Sequence, residues 1–387
     1  MAIVGILDGQ NIQALSLAKQ LRKKGHYVIL FCNTKRSYGY FCRYANKKVI
    51  SPSPKNRPEE FHEFFMNYLK NNELDVVIPT SDYSAKYLSK NKSLIQNKVQ
   101  FSIPEYAIFM TGYDKNKLME VCQINNIPHP RTIDLSKLSI GQEIREFNFP
   151  ALIKPNQTSG AIGFTRVDSF KEVWKKYDVF LSKYGDGHLQ EFIPHTGMQY
   201  KVAILIKNTR VINSTVLEKR RFYPISGGSS CFNKSIVQDD LVSICTKALN
   251  CISWEGFADF DLIEDPRDGL IKIMEINPRV PACLKASVIS GIDFPNAIVN
   301  MSLNRALISE VYKPGKYLRY FSMDLLFLIS SKGKFRIFKK WIRHMFSPDH
   351  YFQDFDMFDP VPFWAGTYFG INKVLNPKLR TRRDGME

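Results

Sequence analysis

The stretch IKIMEINPR, Ile271 to Arg279, puts a carboxylate, a carboxamide and a guanidinium at alternate positions of an otherwise apolar run. Side chains alternate along a strand, so Met274 and Ile276 share one face while Glu275 and Asn277 share the other. The apolar face belongs to a core, and the polar face needs a partner. Just before it, FADFDLIE (257–264) carries Asp259 and Asp261 on one face, and the turn Asp265-Pro266-Arg267-Asp268-Gly269 joins the two runs as a hairpin. The hairpin brings the aspartates beside Glu275 and Asn277, and carboxylates clustered in this way repel unless a cation sits among them. Oxygen-only ligands suit Mg²⁺ carrying phosphates rather than zinc. Arg279 then stands where it could meet the same phosphate oxygens as a fork. An exposed, charge-decorated hairpin is the plainer alternative, and it gives the Asn-Pro-Arg ending no purpose.

Upstream, ALIK (151–154) ends in Lys154 and runs into a small-residue loop with Gly160 and Gly163 before the next strand. Glycines let backbone N–H groups approach anionic oxygens, and a lysine supplies a point charge. No GxxxxGK[ST] occurs, so this is not a Walker A loop, and an ordinary loop is the alternative. The N-terminus reads as strand (Ala2 to Leu7), helix (Ile12, Leu15, Leu17, Ala18, Leu21) and strand (HYVILFC). Gly5 and Gly9 do not form GxGxxG, and no acidic residue closes the second strand, which disfavours dinucleotide binding. LDVVIPTSD reads as a buried parallel strand whose polar end, Thr80, Ser81 and Asp82, either faces a ligand or caps the next helix. DKNKLMEVCQINNIPHP is a capped helix stopped by Pro128 and Pro130. Strands at HLQEFI, QYKVAILI and TRVINSTVLE and a helix at DLVSICTKALNCI complete the series.

In this order the motifs resemble the ATP-grasp superfamily, and within it the carboxylate-amine ligases related to the large chain of carbamoyl-phosphate synthase, over about residues 1–300. A looser resemblance runs to D-aspartate-ligase-like enzymes and to ligases of surface-polysaccharide pathways. The resemblance implies an α/β protein: a Rossmann-like domain (1–112), then a two-subdomain ATP-grasp fold of α+β type, then a C-terminal extension (311–387). The small subdomain (113–188) would carry a phosphate-covering loop and the large one (189–310) the metal site. It further implies that Lys115, with Lys117 as its competitor, and Lys154 contact ATP phosphates, and that the loop from Thr158 through Ser159 and Gly160 to Gly163 closes over them. Glu191, Phe192 and Ile193 would be the hinge that holds adenine through backbone groups. Asp261, Glu275 and Asn277 would bind two Mg²⁺, with Mn²⁺ a substitute and Asp259 the alternative ligand, while Arg279 steadies an acyl phosphate.

Where relatives carry an acidic residue for the ribose hydroxyls, Gln199 is the nearest counterpart. In EKRRFYPISGGSS, Arg220 and Arg221 are expected to grip an acidic substrate at the catalytic centre, with Gly227, Gly228 and Ser229 shaping its pocket; a solvated basic face is the alternative. The implied activity joins a small-molecule carboxylate to an amine through an acyl phosphate, at the expense of ATP.

The 54 basic and 37 acidic residues leave a charge of +17, which suits an anionic partner. Nucleic acid is not expected as that partner, because no recognised binding module occurs and the basic residues are spread along the chain. A non-catalytic nucleotide sensor is a third class, disfavoured by the intact Asp261, Glu275, Asn277 and Arg279. The seven cysteines show no CxxC spacing and read as reduced core residues. No run of about eighteen apolar residues and no export signal is seen, so the expected place is the cytoplasm. The stretch YLRYFSMDLLFLISSKGKFRIFKKWIRHMF (317–346) interleaves basic and aromatic residues. It reads either as a helix docked on the rest of the protein or, through about 316–346, as a contact with the inner face of an anionic membrane. The state of assembly is left open.

Overall fold

The computed structural model describes residues 1–136, 146–158, 162–225 and 228–375. The apolar runs of the N-terminus form a parallel sheet, β1 (Ile3–Ile6), β2 (Tyr27–Cys32), β3 (Lys47–Ile50) and β4 (Val76–Ile78), in the order β3-β2-β1-β4. The helix Gln13–Lys23 buries Ala14, Leu17, Ala18 and Leu21 against it; Leu17, Ala18 and Leu21 belong to the pattern read in sequence, while Ile12 precedes the helix and Leu15 is only partly buried. The helix Asp82–Lys90 begins at the carboxyl end of β4, where Ser81 and Ser84 form a reciprocal capping box. That is the capping role weighed above for this segment.

A second sheet is antiparallel, with β5 (Thr132–Asp134), β6 (Ala151–Pro155), β7 (Thr165–Val167) and β8 (Gly187–Glu191) in the order β5-β8-β6-β7. The helix Phe170–Tyr184 covers it with Val173, Tyr177 and Phe180. Since β8 runs to Glu191, the expected division at 188 falls inside a strand.

The third sheet has seven strands: β9 (Gln199–Lys207), β10 (Arg210–Tyr223), β11 (Ser229–Ile236), β12 (Gly256–Glu264), β13 (Ile271–Asn277), β14 (Tyr317–Arg319) and β15 (His350–Phe352). Their order is β13-β12-β9-β10-β11-β14-β15. One apolar core joins residues of the parallel sheet, such as Phe31 and Val77, to Val202, Ile204 and Phe260 of this sheet. The first and third units therefore pack as one body. Trp254 stacks on Phe109 with ring centroids 6.3 Å apart, over Gly112, where a Cβ would come within 2.7 Å of the indole.

The last two strands belong to the C-terminal extension, which is thus part of the main sheet rather than an appendage. The helix Phe321–Ser330 packs on β10 and β11 and buries Asp324 and Leu328. The helix Lys334–Arg343 is docked through Trp341, which is 5% exposed and packs against Phe321 and under the Arg319 guanidinium. Phe338, Ile342 and Phe346 stay exposed beside Lys332, Arg336, Lys339, Lys340 and Arg343. Among the described residues no helix is long and apolar enough to cross a membrane. All seven cysteines are free, six of them buried.

Candidate active site

The hairpin read from sequence is β12 and β13, and its register sets Asp261 opposite Glu275 and Asp259 opposite Asn277. On the other side of β12, Asp261 faces Lys201 of β9, and one step along β9 Gln199 faces Lys219 of β10. The side-chain period of two turns these residues to the same face, where they line one cleft of about 460 Å³ with Lys115, Lys154, Thr158 and Arg279. That volume lies in the range of small-molecule sites.

Each cation is held by a separate element. Lys115 opens the helix Lys115–Ile124, whose first turn is capped by Asp114 through the N–H groups of Asn116 and Lys117. Its ammonium donates to the Thr158 carbonyl at 2.6 Å and lies 3.1 Å from Glu275, whereas Lys117, two residues on, is exposed. Lys154, on β6, donates to Gln190 Oε1 at 2.5 Å and sits 4.6 Å from the centre of the Phe164 ring. Burial, with the Lys115 charge beside it, pushes the Lys154 ammonium down to about 7. His188, also fully buried, bonds Asn156 at 2.7 Å and is kept neutral by burial and by Lys154.

Asp261 lines the cleft, while Asp259 lies wholly buried beneath it, 2.5 Å from the Lys201 ammonium. Lys201 also reaches Asp261 at 3.1 Å, and Lys219 donates to the other Asp261 oxygen. Burial alone would raise Asp261, but the two lysines outweigh it and hold the carboxyl well below the usual range. Asn277 donates to Asp261 at 3.0 Å and accepts from Arg279 at 2.9 Å. The Arg279 Nε is 3.2 Å from Asp82, at the carboxyl end of β4. The polar end of LDVVIPTSD thus meets the site through one ion pair.

Glu191 turns its side chain away from any ligand role. It accepts from the Arg131 N–H and from Arg267, each at 2.9 Å, and lies 3.2 Å from Lys272. Its own N–H and that of Phe192 donate to the Arg131 and Pro150 carbonyls, and Ile193 is buried. Gln199 lines the cleft, 3.3 Å from His195. Gly163 adopts φ +80°, and a Cβ there would come within 2.8 Å of Pro155, so the loop re-enters β7 only with glycine at this point. Ser159 and Gly160 lie outside the described residues, as does Gly227.

The expected substrate grips stand elsewhere. Arg220 is 2.9 Å from Glu218 at the surface, and Arg221 is committed to Asp324 in a fork of 2.9 and 3.0 Å. Neither lines the cleft; Lys219, one residue earlier, does, because a bulge between Lys219 and Arg221 breaks the alternation of β10. Lys201 and Lys219 are the residues the sequence reading missed. Their signal was present: a lysine inside the apolar strand QYKVAILI has no reason to be there unless carboxylates face it.

In total the cleft presents five cations, Lys115, Lys154, Lys201, Lys219 and Arg279, against two carboxylates, Asp261 and Glu275. Such a site takes a polyanion. Among the described residues no three His, Cys, Asp or Glu gather as a closed metal cage. The available donors are two carboxylates and a carboxamide facing open cleft, which fits a hard cation completed by phosphate oxygens and water.

Residues 113–283 match the family model of the ATP-grasp domain. The chain is 24% identical over 309 residues to D-aspartate ligase of Enterococcus faecium (strain Aus0004), covering 71% of each. Its fold is that of a biotin carboxylase from Campylobacter jejuni, solved as a complex with an ATP analogue, at a TM-score of 0.67 and 15% identity, over 82% of this chain and 74% of that one. An L-amino acid ligase from Bacillus licheniformis superimposes with a TM-score of 0.62 at 15% identity, over 82% and 78%. Residues 113–283 thus form an ATP-grasp domain, and the relatives support an ATP-dependent ligase that forms carbon–nitrogen bonds.

Proposed function

We propose that the protein activates a small-molecule carboxylate with ATP and joins it to an amine, an amino acid being one of the two partners. The observation that carries this is Asp261 set opposite Glu275 in a cleft with five cations around them. Similarity to a D-aspartate ligase supports an amino-acid substrate, and the proposal extends to attachment of that amino acid in cell-surface polysaccharide or peptidoglycan precursor synthesis.

Lys115 and Lys154 would hold the ATP phosphates, Thr158 to Gly163 would close over them, and the backbone at Glu191 to Ile193 would hold the base. Asp261, Glu275 and Asn277 would hold Mg²⁺, two ions being expected with Mn²⁺ a substitute; the metal neutralises phosphate charge when bound. The substrate carboxylate oxygen attacks the γ-phosphorus, the bond to the β-phosphate oxygen breaks and ADP leaves. The amine then attacks the acyl carbon and phosphate departs with the bonding pair, Arg279 meeting the charge that develops on the phosphate. Arg220 and Arg221 are given no part in these steps. The convergence of cations inside one cleft supports this reading over a nucleic-acid-binding surface.

The test is ADP release with Mg²⁺ across pairs of carboxylates and amines. Glu275→Gln is expected to lower it by at least about 100-fold with the melting temperature unchanged. A variant that turns over at the wild-type rate would overturn the metal assignment. We further propose that the basic, partly apolar surface of the helix Lys334–Arg343 rests on an anionic membrane.

A further inference from the structure

The cleft does not end within the stretch that matches the ATP-grasp family. Tyr320, Met323 and Gln353 of the extension line it together with Ala282 and Cys283. Their grouping is built by backbone bonds: the Tyr320 N–H donates to the Cys231 carbonyl at 2.9 Å, and the Gln353 N–H to the Arg319 carbonyl at 2.7 Å. Lys285, beside Cys283, donates to the Phe355 carbonyl at 2.9 Å, and Cys283 packs with Leu318 and Tyr351 of β14 and β15. The helix that carries Met323 is fixed by the residue after it. Asp324, with no exposed surface, takes the Arg221 fork and lies 3.2 Å from Arg319. The Tyr320 hydroxyl meets that of Tyr38 at 3.1 Å, which ties this wall to the N-terminal domain.

All that the extension offers the cleft is uncharged. At the metal end five cations and two carboxylates prepare for phosphates and an ionised substrate, whereas Tyr320, Met323 and Gln353 bring no charged side chain of the extension into the lining. A phenol and a carboxamide can bond a neutral polar group, and a methionine supplies apolar surface that adapts to shape. We propose that Tyr320, Met323 and Gln353 form the subsite of the amine-bearing second substrate and select acceptors whose side chain is uncharged. This rests on the ligase reading, and it places acceptor selectivity in the extension rather than in the ATP-grasp domain.

The experiment is ADP release by the full-length enzyme with ATP and Mg²⁺, using the L- and D-α-amino acids as acceptors against a set of donor carboxylates. Wild type is expected to prefer acceptors with uncharged side chains. Met323→Ala and Gln353→Ala should raise the acceptor KM about tenfold or more, the scale on which small pocket changes act, with the KM for ATP within about twofold. Met323→Lys should move the preference to acidic acceptors. Tyr320→Phe, which removes one hydroxyl, serves where a larger change loses ATP binding. A wild-type preference for charged acceptors, or acceptor KM values unchanged in all variants, overturns the subsite while the ligase reading stands. Absence of ADP release with every pair overturns the ligase reading and the subsite with it.

Discussion

Lys154 is buried beside another cation, and its ammonium is pushed down to about 7 from an ordinary 10.5. The unfolded chain therefore binds more protons than the folded one between about pH 7 and 10.5, so this lysine's contribution makes the free protein more stable as pH rises through that window. A nucleotide polyphosphate would reverse the balance, since anionic oxygens favour the charged form. ATP binding at pH 8 should then take up protons, seen by calorimetry in buffers of different ionisation heat, and Lys154→Met should abolish the uptake. Proton release in the wild type would contradict the placement of phosphates at this lysine. At the same scale, the sequence favours Asp261 over Asp259 only by its spacing to Glu275, and Lys115 over Lys117 only by the adjacent Asp114. In the fold one member of each pair lines the cleft, and the other is buried beneath it or exposed.

Among the elements, β13 and β4 end at a common point, where Arg279 follows one strand and Asp82 the other, 3.2 Å apart. Asp82 acts by positioning Arg279, so Asp82→Asn should lower kcat about tenfold with little effect on the KM for ATP, and Asp82→Glu should restore part of the loss. Equal losses in all kinetic terms, unrescued by glutamate, would indicate a structural role only. The helix Lys334–Arg343 keeps Phe338 and Ile342 exposed beside its basic residues. Co-sedimentation with vesicles containing anionic lipid, lost in salt and in Phe338→Ser with Ile342→Ser, is the expected result. Equal recovery with neutral and anionic vesicles would remove the membrane from consideration. Sequence could not choose between docking and membrane contact here, because one helix presents both faces: Trp341 packs inward while its neighbours point out.

For the whole molecule, the extension closes the main sheet and finishes the cleft, and the buried Asp324 between Arg221 and Arg319 fastens it. Removing one partner leaves buried charge unpaired, so Asp324→Ala should cost about 3–5 kcal/mol in urea unfolding. A loss below about 1 kcal/mol would mean that the guanidinium groups find other partners or water. Arg221 shows why chain order misled: EKRR reads as one basic cluster, yet the β10 bulge sends Lys219 into the cleft, Arg220 to solvent and Arg221 into a structural ion pair.

By itself the sequence determined the hairpin, its acidic face, the glycine at 163 and the order of the units, because strand alternation, turns and caps are local and leave their period in the chain. The partners of that face were decided only by tertiary structure. Lys201 and Lys219 arrive from neighbouring strands, Lys115 from a helix, Asp82 from the start of the helix after β4 and Tyr320, Met323 and Gln353 from the far end of the chain. Sheet register and the packing of one sheet on another set those meetings, and neither has a period that a single sequence displays.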